Sequence, residues 1–151
     1  MSKVYKIGIT KNKKQEIEEV TEVELVAGKG IVGDRNFQEN NDERNQLTLI
    51  ESENIDYYNE KFSLKISYLA FRRNIVTNGI KLNDLVGKKL LIGKTKIKVI
   101  DLCRPCKPLQ ENLGQKNIIK EFLRRGGLRC KILNNSSIKI GDEIRVSYND
   151  N

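Results

Sequence analysis

Two cysteines, both prolines of the chain and two cations fall within nine residues, Asp101-Leu102-Cys103-Arg104-Pro105-Cys106-Lys107-Pro108-Leu109. A thiol attacks electrophiles and ligates soft metals as the thiolate, a form that neighbouring cations stabilise. Arg104 and Lys107 flank Cys106. Pro105 and Pro108 fix their own φ and press the residues before them, Arg104 and Lys107, towards extended backbone. Cys106 is therefore expected in a stiff, extended, non-helical frame that presents it to solvent or to a bound anion. Cys103 falls in period two with Ile97 and Val99 and reads as the end of a strand. Cys130, in the apolar run 128–133, reads as a core thiol.

Other thiol chemistries fit less well. A closed zinc site needs four ligands, and Cys130 is the only further thiol, at a spacing that matches no zinc pattern. Cys103-Arg104-Pro105-Cys106 has the spacing of a thioredoxin-type couple. That motif opens a helix in a βαβ unit, and Pro108 with the strand-rich surroundings argues against it. The sequence contains no histidine, which removes Ser-His-Asp and Cys-His catalysis. Asp34 and Asp101 are carboxylates in nearby loops, where Asp more often serves a turn or a cap. A single working thiolate at Cys106, nucleophile or metal ligand, is the reading that remains.

The elements that must hold this stretch are mostly strands. Apolar residues make up 38% of the chain with only 6% aromatic, so Ile, Leu and Val must carry the core, a composition suited to sheet. Alternation predicts strands over residues 4–10, 18–26 (as a hairpin return), 46–50, 72–77, 128–133 and 143–148. Residues 88–92 and 95–100 predict a hairpin closed at Gly93-Lys94. The second strand of that hairpin leads directly into the cysteines. Helices are predicted over 51–62, where Ile55, Tyr58 and Phe62 form one stripe, and over 116–125, ended by Gly126-Gly127; residues 110–115 read as a loop. Gly28, Gly30 and Gly33 formally match a dinucleotide-binding fingerprint, but the polar residues after them carry no helical period, so they read as loop glycines. The expectation is one mainly β domain over residues 1–151 with a few helices, a closed or rolled β-barrel.

Charge is divided unevenly. Residues 1–70 hold 10 Lys and Arg against 13 Asp and Glu, a balance of −3, and residues 71–151 hold 18 against 7, a balance of +11. A basic half that contains the cysteine pair favours an anionic partner. The N-terminus has no apolar signal region and no apolar run could span a bilayer, so a cytoplasmic protein without a membrane partner is expected. The odd, small set of three cysteines speaks against a disulfide framework.

A set of short segments, weak singly, gains weight from its order. It comprises Gly33-Asp34-Arg35, Gln46-Leu47-Thr48-Leu49-Ile50-Glu51, Arg72-Arg73-Asn74-Ile75-Val76 followed by Gly79, and Leu82 with Leu85-Val86-Gly87. It continues through Leu91-Ile92-Gly93, Cys103-Arg104-Pro105-Cys106, Arg125-Gly126-Gly127 and Ile140-Gly141-Asp142. Over nearly its whole length the chain resembles a stand-alone MOSC domain, named for the C-terminal part of molybdenum cofactor sulfurase. The resemblance implies a β-barrel and a cysteine, here Cys106, that carries sulfur as a persulfide or binds the molybdenum of the pterin cofactor. It also implies that Arg35, Arg72, Arg73, Asn74, Arg104 and Arg125 hold the phosphate and pterin of molybdopterin. Guanidinium forks suit phosphate.

Two departures stand out. Asn36 occupies the place of the family's usual histidine, and Arg44 is separated from the Gln46 strand by Asn45. Pyridoxal phosphate belongs to a separate domain of the full sulfurase and is not expected on this chain. The expected function is cofactor binding or sulfur delivery in molybdenum cofactor assembly, with a cysteine desulfurase or a molybdoenzyme as partner. A first alternative is a molybdenum-dependent reductase subunit acting on N-hydroxylated compounds. A second, from another class, is a basic nucleic-acid-binding barrel. That reading is disfavoured because the basic half offers only Phe71, Phe122 and Tyr148 as stacking platforms.

Overall fold

The computed structural model describes residues 1–12 and 15–147. Eleven strands form two sheets: β1 (Lys3–Ile9), β2 (Glu18–Val20), β3 (Glu22–Val26), β4 (Gly30–Ile31), β5 (Leu47–Glu51), β6 (Ile75–Asn78), β7 (Lys89–Ile92), β8 (Thr95–Leu102), β9 (Leu128–Ile132), β10 (Ser136–Lys139) and β11 (Ile144–Ser147). The larger sheet has the order β11-β7-β8-β9-β5-β6-β1-β2 and the smaller β10-β3-β4. The larger one is strongly curled into a half-barrel. A bridge between Lys3 and Glu143 ties β1 to the entry of β11, and the backbone bonds Val4 N–H to Asp142 and Ile144 N–H to Ser2 reinforce it. Among the described residues, no helix is long and apolar enough to cross a membrane.

All pairs are antiparallel except β5 with β6, which run parallel. Their connection includes helix α1 (Ser52–Phe62) and a 3-10 turn (Tyr68–Phe71). Both faces of this pair are covered. Leu49 and Ile75 belong to the barrel core with Leu90, Ile97, Val99 and Leu128, while Ile50 and Val76 pack under Tyr58, Phe71, Leu109 and Phe122. A parallel pair buried on both faces reads as a continuous apolar run rather than an alternation, which describes Leu49-Ile50 and Ile75-Val76.

Several expectations shift at their ends. The run 18–26 breaks at Thr21 and serves two sheets: β2 pairs with β1, and β3 pairs with β10 and β4. A bulge between Val4 and Lys6 resets the first strand, so Val4 and Ile7 both face the core. The strand expected from residue 72 begins at Ile75, because Arg72 closes the 3-10 turn in the left-handed region at φ 63°. The predicted helix over 116–125 reduces to α3 (Ile118–Glu121). Beyond it, turns redirect the chain so that Gly126 can lie against the backbone of Cys103. Tyr148, offered above as a strand end and a stacking platform, lies outside the described residues.

The expectation that Cys106 opens no helix, and that 110–115 is a loop, is corrected. Helix α2 spans Lys107–Leu113 with Cys106 as its N-cap residue. Proline is tolerated in a first helical turn, whose N–H groups have no intrahelical acceptor, and Pro108 sits there. Cys106 itself remains extended, at φ −128° and ψ 164°. Gly28, Gly30 and Gly33 all take positive φ, with no helix after them.

Candidate functional site

The parallel pair brings distant arginines to one rim. Arg44 and Asn45 lie just before β5, and Arg72, Arg73 and Asn74 just before β6. Asn74 is the staple that fixes this rim. Its Oδ1 accepts from the Thr48 N–H at 3.2 Å and the Thr48 hydroxyl at 3.1 Å, and its Nδ2 donates to the Gly8 carbonyl at 3.2 Å. Its own N–H donates to Thr48 Oγ1 at 2.9 Å. Strands β1, β5 and β6 are thereby held together by one amide side chain, a buried network in which every polar atom of Asn74 has a partner.

Above that staple lies a small cavity of about 190 Å³, lined by Thr10, Asp34, Arg35, Asn36, Arg44, Asn45, Thr48, Arg72, Arg73, Asn74, Cys103 and Arg129. Five arginines and one acidic residue, Asp34, are among the lining. Asp34 is itself engaged: its Oδ1 accepts from the Thr10 N–H at 2.9 Å and its Oδ2 from the Asn36 N–H at 3.2 Å. The carboxylate thus folds the loop that delivers Arg35, whose own N–H donates to Thr10 at 2.6 Å.

Each arginine is aimed by a different contact. Arg73 donates Nε–H to Gly126 O at 3.0 Å and Nη1–H to Phe71 O at 3.1 Å. Arg129 reaches Asn45 Oδ1 at 3.2 Å, and Arg44 pairs with Asp42 at 3.3 Å. Arg72 donates to the carbonyl of Gln15 at 3.0 Å. Partial burial holds its pKa below the ordinary arginine value, and the nearby charge of Arg35 pushes the same way against Asp34. Cations held against each other in this way are relieved by a bound anion.

The site residues expected from the sequence divide accordingly. Arg35, Arg72, Arg73 and Asn74 meet at the cavity. Arg104 points elsewhere, pairing with Asp101 at 3.1 Å. Arg125 stacks on Tyr57 of α1, 4.1 Å from guanidinium carbon to ring centroid, and is absent from the lining. Arg129 was not singled out. Its signal is an outward-facing arginine between buried Leu128 and Cys130, two residues after the double glycine, opposite Thr48 in the sheet.

The thiols separate as well. Cys103, 5% exposed, contributes to the cavity wall, while Cys106 is exposed and outside the lining. Residues 103–106 run without turn or bend and Cys106 is extended, a path whose Cα atoms approach the limit of roughly 10 Å set by an extended rise of about 3.3 Å per residue. A disulfide needs less than about 7 Å, so the two act independently. Cys130 is fully buried, and burial pushes its thiol pKa far up, with a smaller contribution from Cys103. A second, larger groove of about 770 Å³ shares Arg72 with the cavity and adds the apolar walls Ile17, Leu69 and Leu113.

The domain model described as MOSC domain matches residues 33–145, a span that runs from the Asp34 loop into the start of β11 and includes every arginine of the cavity. The chain belongs to the MOSC domain family. Its fold is similar to the YuaD protein from Bacillus subtilis, with a TM-score of 0.83 at 19% identity over 99% of this chain and 98% of that one. It is also similar to YiiM from Geobacillus stearothermophilus, with a TM-score of 0.79 at 17% identity over 97% of this chain and 75% of that one. YiiM from Escherichia coli aligns with a TM-score of 0.71 at 18% identity, over 98% and 69% of the two chains. No curated protein sequence matches. MOSC domains are associated with molybdenum-cofactor-related functions, and the rolled β-barrel expected from the sequence is the architecture found.

Proposed function

We propose that this MOSC domain binds the molybdopterin form of the molybdenum cofactor by its phosphate, with Cys106 as the thiolate that ligates the metal or carries sulfur to it. The observation that carries this reading is the cavity itself, about 190 Å³ lined by five arginines against one acidic residue. That volume equals about six waters at roughly 30 Å³ each. It suits a tetrahedral oxyanion and falls short of the ~300 Å³ at which pockets for whole organic ligands begin. Only the anionic end of the cofactor fits there, so the rest must lie outside the arginines.

The donor set fits that end. Arg35 and Arg129 bring guanidinium forks to a phosphate, Arg129 with one N–H on Asn45, and Arg72 adds the charge of a guanidinium that donates to Gln15. Arg73 spends two of its N–H groups on backbone carbonyls and contributes mainly charge. When bound, the cofactor supplies a molybdenum centre with affinity for soft sulfur ligands. Cys106 is the exposed thiol, mounted between the end of β8 and the start of α2, and Lys107 stands beside it. Cys103, in the cavity wall, is 5% exposed, so Cys106 is the thiol open to solvent. A cysteine desulfurase as sulfur donor, or a molybdoenzyme as acceptor, completes the reading.

The test mixes purified protein with released cofactor and compares wild type, Cys106→Ala and Arg129→Ala. Arg129→Ala is expected to weaken binding of inorganic phosphate about tenfold, the value of one charge-assisted contact. Cys106→Ala should leave phosphate binding intact and lose both molybdenum retention and sulfane-sulfur labelling. Equal retention and labelling in wild type and Cys106→Ala overturns the role of the thiol.

A further inference from the structure

The outer face of the larger sheet carries a row of lysines that the cofactor reading does not use. In the sheet register Lys89 of β7 stands directly opposite Lys98 of β8, and Lys98 directly opposite Lys131 of β9. Like charges opposite one another across strands destabilise a sheet. Here three occur in one row, at the strand spacing of about 4.8 Å. Lys96 lies one row away on the same face, since Thr95, Ile97 and Val99 between these lysines point into the core. Among the described residues, Lys96, Lys98 and Lys131 have no carboxylate within ion-pair distance. Of the nearby acids, Asp42 and Asp101 are taken by Arg44 and Arg104, while Glu43 lines the same open groove as Lys131.

This face is continuous with the site. Arg129, two residues before Lys131 on the same side of β9, lines the arginine cavity. Lys131 shares a second open groove with Arg44, and β8 runs on from Lys98 towards Cys106. The row next to the lysines reads Arg145, Leu91, Lys96 across β11, β7 and β8, which places a half-buried leucine among cations. Charges around an apolar spot are the composition of a protein-binding surface. Among the described residues, no aromatic side chain stands with Lys89, Leu91, Lys96, Lys98, Arg129 and Lys131 for bases to stack on.

We infer that the β7–β8–β9 face is a docking surface for an acidic partner protein, which it steers to the rim of the arginine cavity. Carboxylates of the partner relieve Lys96, Lys98 and Lys131, and Leu91 gives the contact its apolar centre. This goes beyond cofactor binding and stands independently of it, because docking is read without molybdenum.

The experiment uses poly-L-glutamate as an acidic polypeptide probe, with single-stranded and duplex oligonucleotides as comparison arms, all by fluorescence anisotropy. Lys98→Glu/Lys131→Glu is compared with Lys116→Glu/Lys120→Glu, which changes the net charge equally on other exposed lysines. The sheet variant is expected to lose roughly tenfold in polyglutamate affinity, and the control less than about threefold, because local complementarity outweighs net charge. Molybdenum retention in the sheet variant should stay at the wild-type level, which separates this proposal from the cofactor reading.

Equal losses in the two variants overturn it. So does an oligonucleotide that binds more tightly than polyglutamate and depends equally on Lys98 and Lys131. Acetylation footprinting of the wild type guards against misfolded variants. Protection of Lys96, Lys98 and Lys131 by polyglutamate, without protection of Lys116, supports the surface, and uniform or absent protection rejects it.

Discussion

Arg73 donates its Nε–H to the carbonyl of Gly126, 3.0 Å away, and the next residue, Gly127, accepts from the N–H of Cys103 at 2.7 Å. One pair of glycines therefore joins the wall of the arginine cavity to the segment that carries the thiols. Neither has room for a side chain. A Cβ on Gly126 would collide with the Cys103 carbonyl oxygen, and one on Gly127 with the Leu49 carbonyl oxygen.

Gly127→Ala is expected to cost roughly 3 kcal/mol, from strain at φ +100° together with the collision against backbone. Gly87 has a similar positive φ, +84°, with open space around it. Gly87→Ala should cost only about 1 kcal/mol, the conformational term alone. Urea denaturation of the two variants separates the contributions. Equal midpoints would mean that the Leu49 backbone steps aside without cost.

The three thiols should react in the order set by burial. Brief alkylation of the folded protein is expected to mark Cys106 alone, and alkylation after denaturation all three. Mass spectrometry of the peptides reads the sites. Mild oxidation should give no Cys103–Cys106 disulfide within one chain, because the extended segment holds them apart. An internal disulfide formed as fast as in an unfolded peptide would contradict that geometry.

Tyr68 donates its hydroxyl to Asp56 Oδ1 at 2.6 Å. That bond, with smaller contributions from burial and the Asp56 charge, pushes the phenol up to about 12. The folded value lies above the unfolded one of about 10. The bond's contribution to stability is therefore complete below pH ~10 and lost as pH rises from there through the folded value. Tyr58 is also raised, by burial first and by the charge of Glu121 second. A spectrophotometric titration should show late-ionising tyrosines, and Tyr68→Phe should remove one of them. A Tyr68→Phe titration that matches the wild type at high pH would refute the assignment.

The sequence made the hairpin of β7 and β8 readable because Lys96 and Lys98 alternate with Ile97 and Val99, and Gly93 supplies the turn. Helix α1 was readable from Ile55 and Tyr58. Helix α2 was hidden because Pro108 looks like a breaker until its place in the first turn is known. Arg72, Arg73 and Arg35 could be singled out as cations, but no sequence pattern tells which cations converge. Arg125, one residue from Gly126, turns to Tyr57, while Arg129, three residues further on, reaches the cavity. Cys103 followed the period of β8, but the register shift between Val99 and Asp101 changes what that period predicts at the strand's end.

The parallel pairing of β5 with β6 has a consequence for how this site tolerates change. Parallel strands begin at the same edge, so Arg44 and Arg73 meet there however long the chain between them is. The excursion from Ser52 to Phe71 leaves that edge and returns to it, and none of its residues lines the arginine cavity. Residues inserted near Ser63, in the exposed turn after α1, would lengthen the detour without moving either end. The domain can thus acquire new segments on that side while the geometry of its anion cavity is inherited unaltered.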